Sequence, residues 1–131
     1  FKFPMIDREP VERWSFDRVT LAGDAAHAMY PNGSNGASQG IIDAATLARQ
    51  LQGNDDVIKA LTAYQSERLS PTAKITLDNR KAGPERVLQM VEDRCSGECP
   101  DEHHCVPYTD LDAVSMAYKK LAGFDKQTVN K

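Results

Sequence analysis

The arrangement in this chain best suited to chemistry is a carboxylate followed by a glycine-punctuated loop. Asp24 follows Gly23 at the end of a short apolar run, and Pro31-Asn32-Gly33-Ser34-Asn35-Gly36 comes just after it. A carboxylate at a strand end accepts hydrogen bonds from ligand hydroxyls. Glycines at 33 and 36 remove side-chain bulk, so a planar ligand can approach the backbone. A helix opening after such a loop presents unpaired N–H groups and the positive end of its dipole, which favours an anionic or electron-rich edge.

Two further groups of residues invite a chemical reading. Cys95, Cys99, His103, His104 and Cys105 carry enough soft ligands for a tetrahedral zinc ion. The spacing matches no known finger pattern, however, and adjacent His104 and Cys105 are badly placed to share one metal, so a surface loop of reduced thiols is the expected reading. His27, flanked by alanines beside the apolar run, is expected to be a packed, hydrogen-bonded residue and not a base. Met29 and Tyr30 are equally readable as pocket lining or core. No catalytic residue and no metal ligand is assigned.

The elements that must position these residues follow from periodicity and punctuation. Residues 19–22, Val-Thr-Leu-Ala, form a β-branched run that predicts a buried strand stopping at Gly23-Asp24, the end where α/β folds bind ligands. Ile41, Ile42, Ala45, Ala48 and Leu51 recur at helical spacing and Gly53 closes that helix. Val57, Ile58, Leu61, Tyr64 and Leu69 continue the period to Ser70-Pro71, giving two consecutive helices or one with a kink. Gly83-Pro84 precedes a short helix ending near Arg94. Thr109 and Asp112 resemble a capping box for a last helix stopped by Gly123.

The chain has 131 residues, 40% hydrophobic and 27% charged, which suits a single folded domain or part of one. Sixteen basic and 19 acidic residues give a net charge of −3, with no basic excess to attract nucleic acid. No apolar run approaches the ~20 residues of a membrane span. The three cysteines are an odd count confined to one loop, unlike a secreted disulfide framework, so a cytoplasmic setting is expected. The chain opens at Phe1 and reads as a piece of a longer protein.

The stretch 18–51 also carries a resemblance. Gly23-Asp24-Ala25-Ala26-His27, Tyr30-Pro31, Gly33-Ser34-Asn35-Gly36-Ala37-Ser38-Gln39 and Asp43-Ala44 resemble the second FAD motif of class A flavoprotein aromatic monooxygenases, most closely the phenazine hydroxylase branch. Asn79-Arg80, Gly83-Pro84-Glu85, Tyr118-Lys119 and Ala122-Gly123-Phe124 extend it, less specifically, over most of the chain.

The resemblance implies an α/β fold, here a predominantly helical C-terminal part of a glutathione-reductase-like FAD-binding domain. Residues 1–53 would supply the strand, glycine loop and helix, and 54–131 a helical segment of the same domain. It implies FAD and NAD(P)H as cofactors and a small aromatic or heteroaromatic substrate hydroxylated with O2. Gly23 would belong to the cofactor-binding turn, Asp24 would contact the ribityl hydroxyls, Pro31 would lie beside the isoalloxazine, and the amides of Gly33, Ser34, Asn35 and Gly36 would face the pyrimidine edge. Negative charge gathers at that edge in reduced flavin, so amides fixed there favour the reactive state.

The GxGxxG unit, the NAD(P)H-related motif and most of the substrate sheet would lie in a missing N-terminal half. The piece alone should be inactive, and its uncovered apolar faces could drive self-association. A reading from a different class is a non-catalytic helical interaction or zinc-binding module.

Overall fold

The computed structural model describes residues 4–95 and 105–125. Two strands, β1 (Ser15–Phe16) and β2 (Val19–Thr20), pair antiparallel as a hairpin. A one-turn helix α1 (Asp24–His27) and a 3₁₀ turn (Asn32–Ser34) lead into α2 (Gly36–Gly53). Then come α3 (Val57–Asn79), a second 3₁₀ turn (Gly83–Glu85), α4 (Arg86–Arg94) and α5 (Tyr108–Ala122).

The buried strand expected at 19–22 is instead half of this two-residue-deep hairpin, with Val19 65% exposed. Thr20 interrupts the apolar run, and its hydroxyl turns inward to Ser15 Oγ at 2.9 Å, so Val19 on the opposite face of the pleat points to solvent. The hairpin is fastened to α3 by polar contacts. Gln65 Oε1 accepts from the amides of Trp14 and Ser15 at 2.6 and 2.8 Å, and Ser15 Oγ donates to Leu61 O at 3.0 Å.

The long helix α3 settles the choice left open at Ser70-Pro71: it runs unbroken through Pro71, which sits exposed on its outer face. There the carbonyl of Glu67, deprived of its usual partner by the proline, can turn to water. Asp56 caps the start, accepting from the amides of Ile58 (2.8 Å) and Lys59 (3.4 Å). The inward stripe of α3 is Leu61, Tyr64, Arg68, Thr72, Ile75 and Asn79, at steps of three and four, all buried. Its upper end packs with Trp14 and Ala26 as a small core, flanked by Val11, Leu21, Leu47 and Leu69. Leu61 and Tyr64 are thus covered by neighbouring elements of this same chain.

Helix α5 opens at Tyr108 with no side-chain cap, so the capping box read from Thr109 and Asp112 does not form; Pro107, two residues ahead of Thr109, occupies the cap position. Its end is as expected. Gly123 takes a left-handed φ of 79°, and Phe124 N–H donates to Lys119 O at 2.8 Å, closing a Schellman motif.

The reduced thiols expected at Cys95 and Cys105 are instead joined in a disulfide that ties the end of α4 to the approach to α5. Their α-carbons stand 5.6 Å apart, within bridging distance. The bond uses two of the residues read as potential zinc ligands; Cys99, His103 and His104 lie outside the described residues. It also removes the argument from free thiols that favoured a reducing compartment. Among the described residues, no helix is long and apolar enough to cross a membrane.

Candidate functional site

The glycine loop is held from behind by a buried polar network. Asp43, on the inward face of α2, is fully buried and accepts three hydrogen bonds: from Gly23 N–H (2.9 Å), His27 Nε2 (2.6 Å) and Arg68 Nε (2.7 Å). Burial alone would raise the pKa of this carboxyl, but the bonds from His27, Arg68 and the Gly23 amide bring it below the usual value. Arg68 also donates to Gln39 Oε1 at 2.7 Å, and Gln39 Nε2 donates to Ala122 O at 3.2 Å. One network therefore joins α1, α2, α3 and α5 beneath the loop. His27, 3% exposed, is part of this framework, as its alanine flanks suggested.

A second buried cluster fixes the loop itself. Tyr118 Oη accepts from Asn35 Nδ2 and donates to Asn79 Oδ1, both at 2.6 Å. Asn79 Nδ2 donates to Tyr30 O (3.1 Å), and Asn32 Nδ2 donates to Asn79 O (3.0 Å). Gly33 has φ 76°, and a β-carbon there would fall 2.7 Å from Tyr118 Cε1, so both backbone conformation and packing demand glycine. Burial pushes the Tyr118 phenol above its ordinary pKa, so it stays a neutral donor and acceptor.

The residues expected to hold a ligand come together on the outer side of this framework. Asp24, the first residue of α1, is exposed. Its Oδ1 lies 4.0 Å from where a β-carbon at Gly36, the first residue of α2, would stand. The carboxylate and the helix opening are therefore neighbours, separated by space that a side chain at 36 would enter. Pro31 is exposed at the loop's entrance.

The amides differ in part from expectation. Gly33 N–H donates to Glu85 Oε1 (3.0 Å) and Ser34 N–H to Pro31 O (2.8 Å), so these two are engaged within the chain. Helix α2 begins at Gly36, with Asn35 as an N-cap that makes no side-chain cap bond. The first amide to bond back is Gln39 N–H, to Asn35 O at 2.9 Å. Gly36, Ala37 and Ser38 thus carry the N–H groups left without an intrahelical acceptor. Asn35 itself is buried, and its Oδ1 has no donor among the described residues.

The sequence reading assigned no role to Asp43, Arg68, Asn79 or Tyr118. A signal for two of them was present: a lone Asp inside Ile41-Ile42-Asp43-Ala44-Ala45, and an Arg on the apolar stripe of α3, are opposite charges on faces that must be buried.

A carboxylate beside uncapped helix amides, with a glycine at the helix opening, can receive a polyhydroxylated ligand with an electron-rich edge. Comparison with known proteins gives this class a name: residues 4–79 match the FAD binding domain family, and the chain belongs to it. Its relatives include proteins named as hydroxylases and monooxygenases. It is 52% identical over 79 residues to phenazine 1,6-dicarboxylic acid hydroxylase of Lysobacter antibioticus, covering 60% of this chain and 19% of that protein. It is 44% identical over 87 residues to 3-hydroxybenzoate 6-hydroxylase of Polaromonas naphthalenivorans, covering 66% and 22%. With an FAD-dependent monooxygenase of Aspergillus candidus, identity is 36% over 121 residues, covering 90% and 27%. The chain thus spans about a fifth to a quarter of the length of these relatives.

The resemblance to class A flavoprotein aromatic monooxygenases is borne out, and FAD is the family's cofactor. The residues present fit that group. A β-carbon at Gly36 would stand 4.0 Å from Asp24 Oδ1, so glycine leaves the space between them open, and among the described residues the amides of Gly36, Ala37 and Ser38 have no acceptor.

Proposed function

We propose that this chain is the C-terminal part of the FAD domain, of glutathione-reductase type, in a longer NAD(P)H- and O2-dependent enzyme that hydroxylates a small aromatic or heteroaromatic acid. When bound, FAD supplies the redox chemistry, accepting reducing equivalents from NAD(P)H and activating O2. Residues 1–53 contribute the contacts to it and residues 54–131 brace them. Asp24 accepts hydrogen bonds from the ribityl hydroxyls, and the amides of Gly36, Ala37 and Ser38 meet the pyrimidine edge, where the charge of the reduced ring gathers. Pro31, Gly33, Ser34 and Asn35 shape the loop against which the ring lies, and Gly23 carries Asp24 into place.

The single observation that carries this reading is the placement of the Asp24 carboxylate beside the open start of α2. The names of the relatives favour phenazine carboxylates and hydroxybenzoates as the first substrates to try. The experiment is to purify the full-length enzyme with FAD and follow NAD(P)H oxidation and 18O incorporation from 18O2 with such acids. Substrate-dependent oxidation with one labelled hydroxyl per product supports the assignment; an FAD-loaded enzyme that oxidises NAD(P)H without labelling any aromatic acid contradicts it.

A further inference from the structure

Tyr118 lies on α5, outside the residues that match the FAD family, yet its hydroxyl is the junction of the glycine loop. It holds Asn35, the residue on which α2 opens, and Asn79, which in turn holds Tyr30 and Asn32 on the other side of the loop. Both ends of the loop are therefore referred to one phenolic oxygen. Tyr118 is 8% exposed, and its ring packs against Gly33 and Gly83. A phenylalanine would fill the same volume, so shape alone does not account for the hydroxyl. Removing it would leave Asn35 Nδ2 and Asn79 Oδ1 buried without a partner.

Resting on the flavin reading above, we infer that Tyr118 is a positioning residue for the reduced cofactor. Through Asn35 it sets the direction of the Gly36, Ala37 and Ser38 amides, which matter most when the flavin edge carries charge. Loss of the hydroxyl lets Asn35 reorient and tilts those amides. The neutral ring of oxidised FAD tolerates that tilt better than the anionic ring of the reduced form, because charge-assisted hydrogen bonds depend more strongly on distance and angle.

The test compares dissociation constants for oxidised and for anaerobically reduced FAD in the full-length enzyme, for wild type, Tyr118→Phe, Asn35→Ala and the double variant. Lys119→Gln, an exposed neighbour, is the control. Tyr118→Phe should weaken reduced FAD about tenfold more than oxidised FAD, the loss of roughly one good hydrogen bond in one state only. Asn35→Ala should show the same bias, and the double variant no more than the larger single effect. Should Tyr118→Phe not fold, Asn35→Ala, which keeps the tyrosine, carries the same comparison. Equal weakening of both redox states, or biases that add in the double variant, overturns the proposal and leaves Tyr118 a packing residue. A wild-type enzyme that binds no FAD instead overturns the flavin reading, and this proposal falls with it.

Discussion

Gly33 and Tyr118 are packed so that no side chain fits between them: a β-carbon on Gly33 would stand 2.7 Å from both Cε1 and Cζ of the tyrosine. Eighty-five positions apart in the chain, these residues make the shape of the loop depend on the last helix.

Gly33→Ala should therefore be costly in two ways. The left-handed φ of 76° is worth about 1–2 kcal/mol against any L side chain, and the clash with Tyr118 adds to it. Gly123→Ala, at a similar left-handed φ of 79° with nothing within 4 Å of the new β-carbon, should lose only the backbone part. Urea unfolding of the two variants should rank Gly33→Ala as the more damaging. The gap should shrink when Tyr118 is also replaced by alanine.

The buried Asp43 gives a pH signature. Its folded pKa lies below the unfolded value near 3.8, so its contribution to stability is complete above about pH 4 and is lost as pH falls through the lower, folded pKa. Asp43→Asn should cost about 3 kcal/mol at neutral pH, because Arg68 is left buried without its counter-charge. It should also flatten the stability loss below about pH 4. Thermal unfolding across that range checks both, and an unchanged acid limb would show that Asp43 is not its source.

The Cys95–Cys105 bridge closes a loop with a sequence separation of 10. Cys95→Ser with Cys105→Ser should lower stability by about 2–3 kcal/mol on loop-closure grounds. The loss should appear in α4 and α5 before the loop region. Hydrogen exchange with and without reductant reads this directly. Equal protection in both states would mean that the helices hold each other unaided.

Much of this architecture was legible in the sequence, for physical reasons. The helical period of 41–51 and the stop at Gly53 gave α2, because amphipathic spacing and a terminal glycine act locally. Gly123 was legible for the same reason. The hairpin was misread as a buried strand because residues 19–22 are apolar enough for either, and only the pairing of Thr20 with Ser15 decides which face turns inward. The capping box at Thr109 failed where Pro107, a competing start signal, sits two residues earlier.

At the site, Asp24 and the glycines were found because carboxylates and glycines announce themselves. Tyr118 and Asn79 were not, since a tyrosine on an amphipathic helix and an asparagine at a helix end look like ordinary surface or core until the fold brings them together. The disulfide was missed because an odd cysteine count in one loop argues against pairing, and only the approach of α4 to α5 shows which two meet.

The account rests most heavily on Asp24, and FAD binding by the full-length enzyme tests it directly. Asp24 is exposed and has no hydrogen-bond partner within the chain among the described residues, so Asp24→Ala should leave the unfolding temperature unchanged. The same change should raise the dissociation constant for FAD about ten- to a hundredfold, as expected for losing one charged acceptor of ligand hydroxyls. An FAD affinity at the wild-type level in a folded Asp24→Ala enzyme would contradict the site described above.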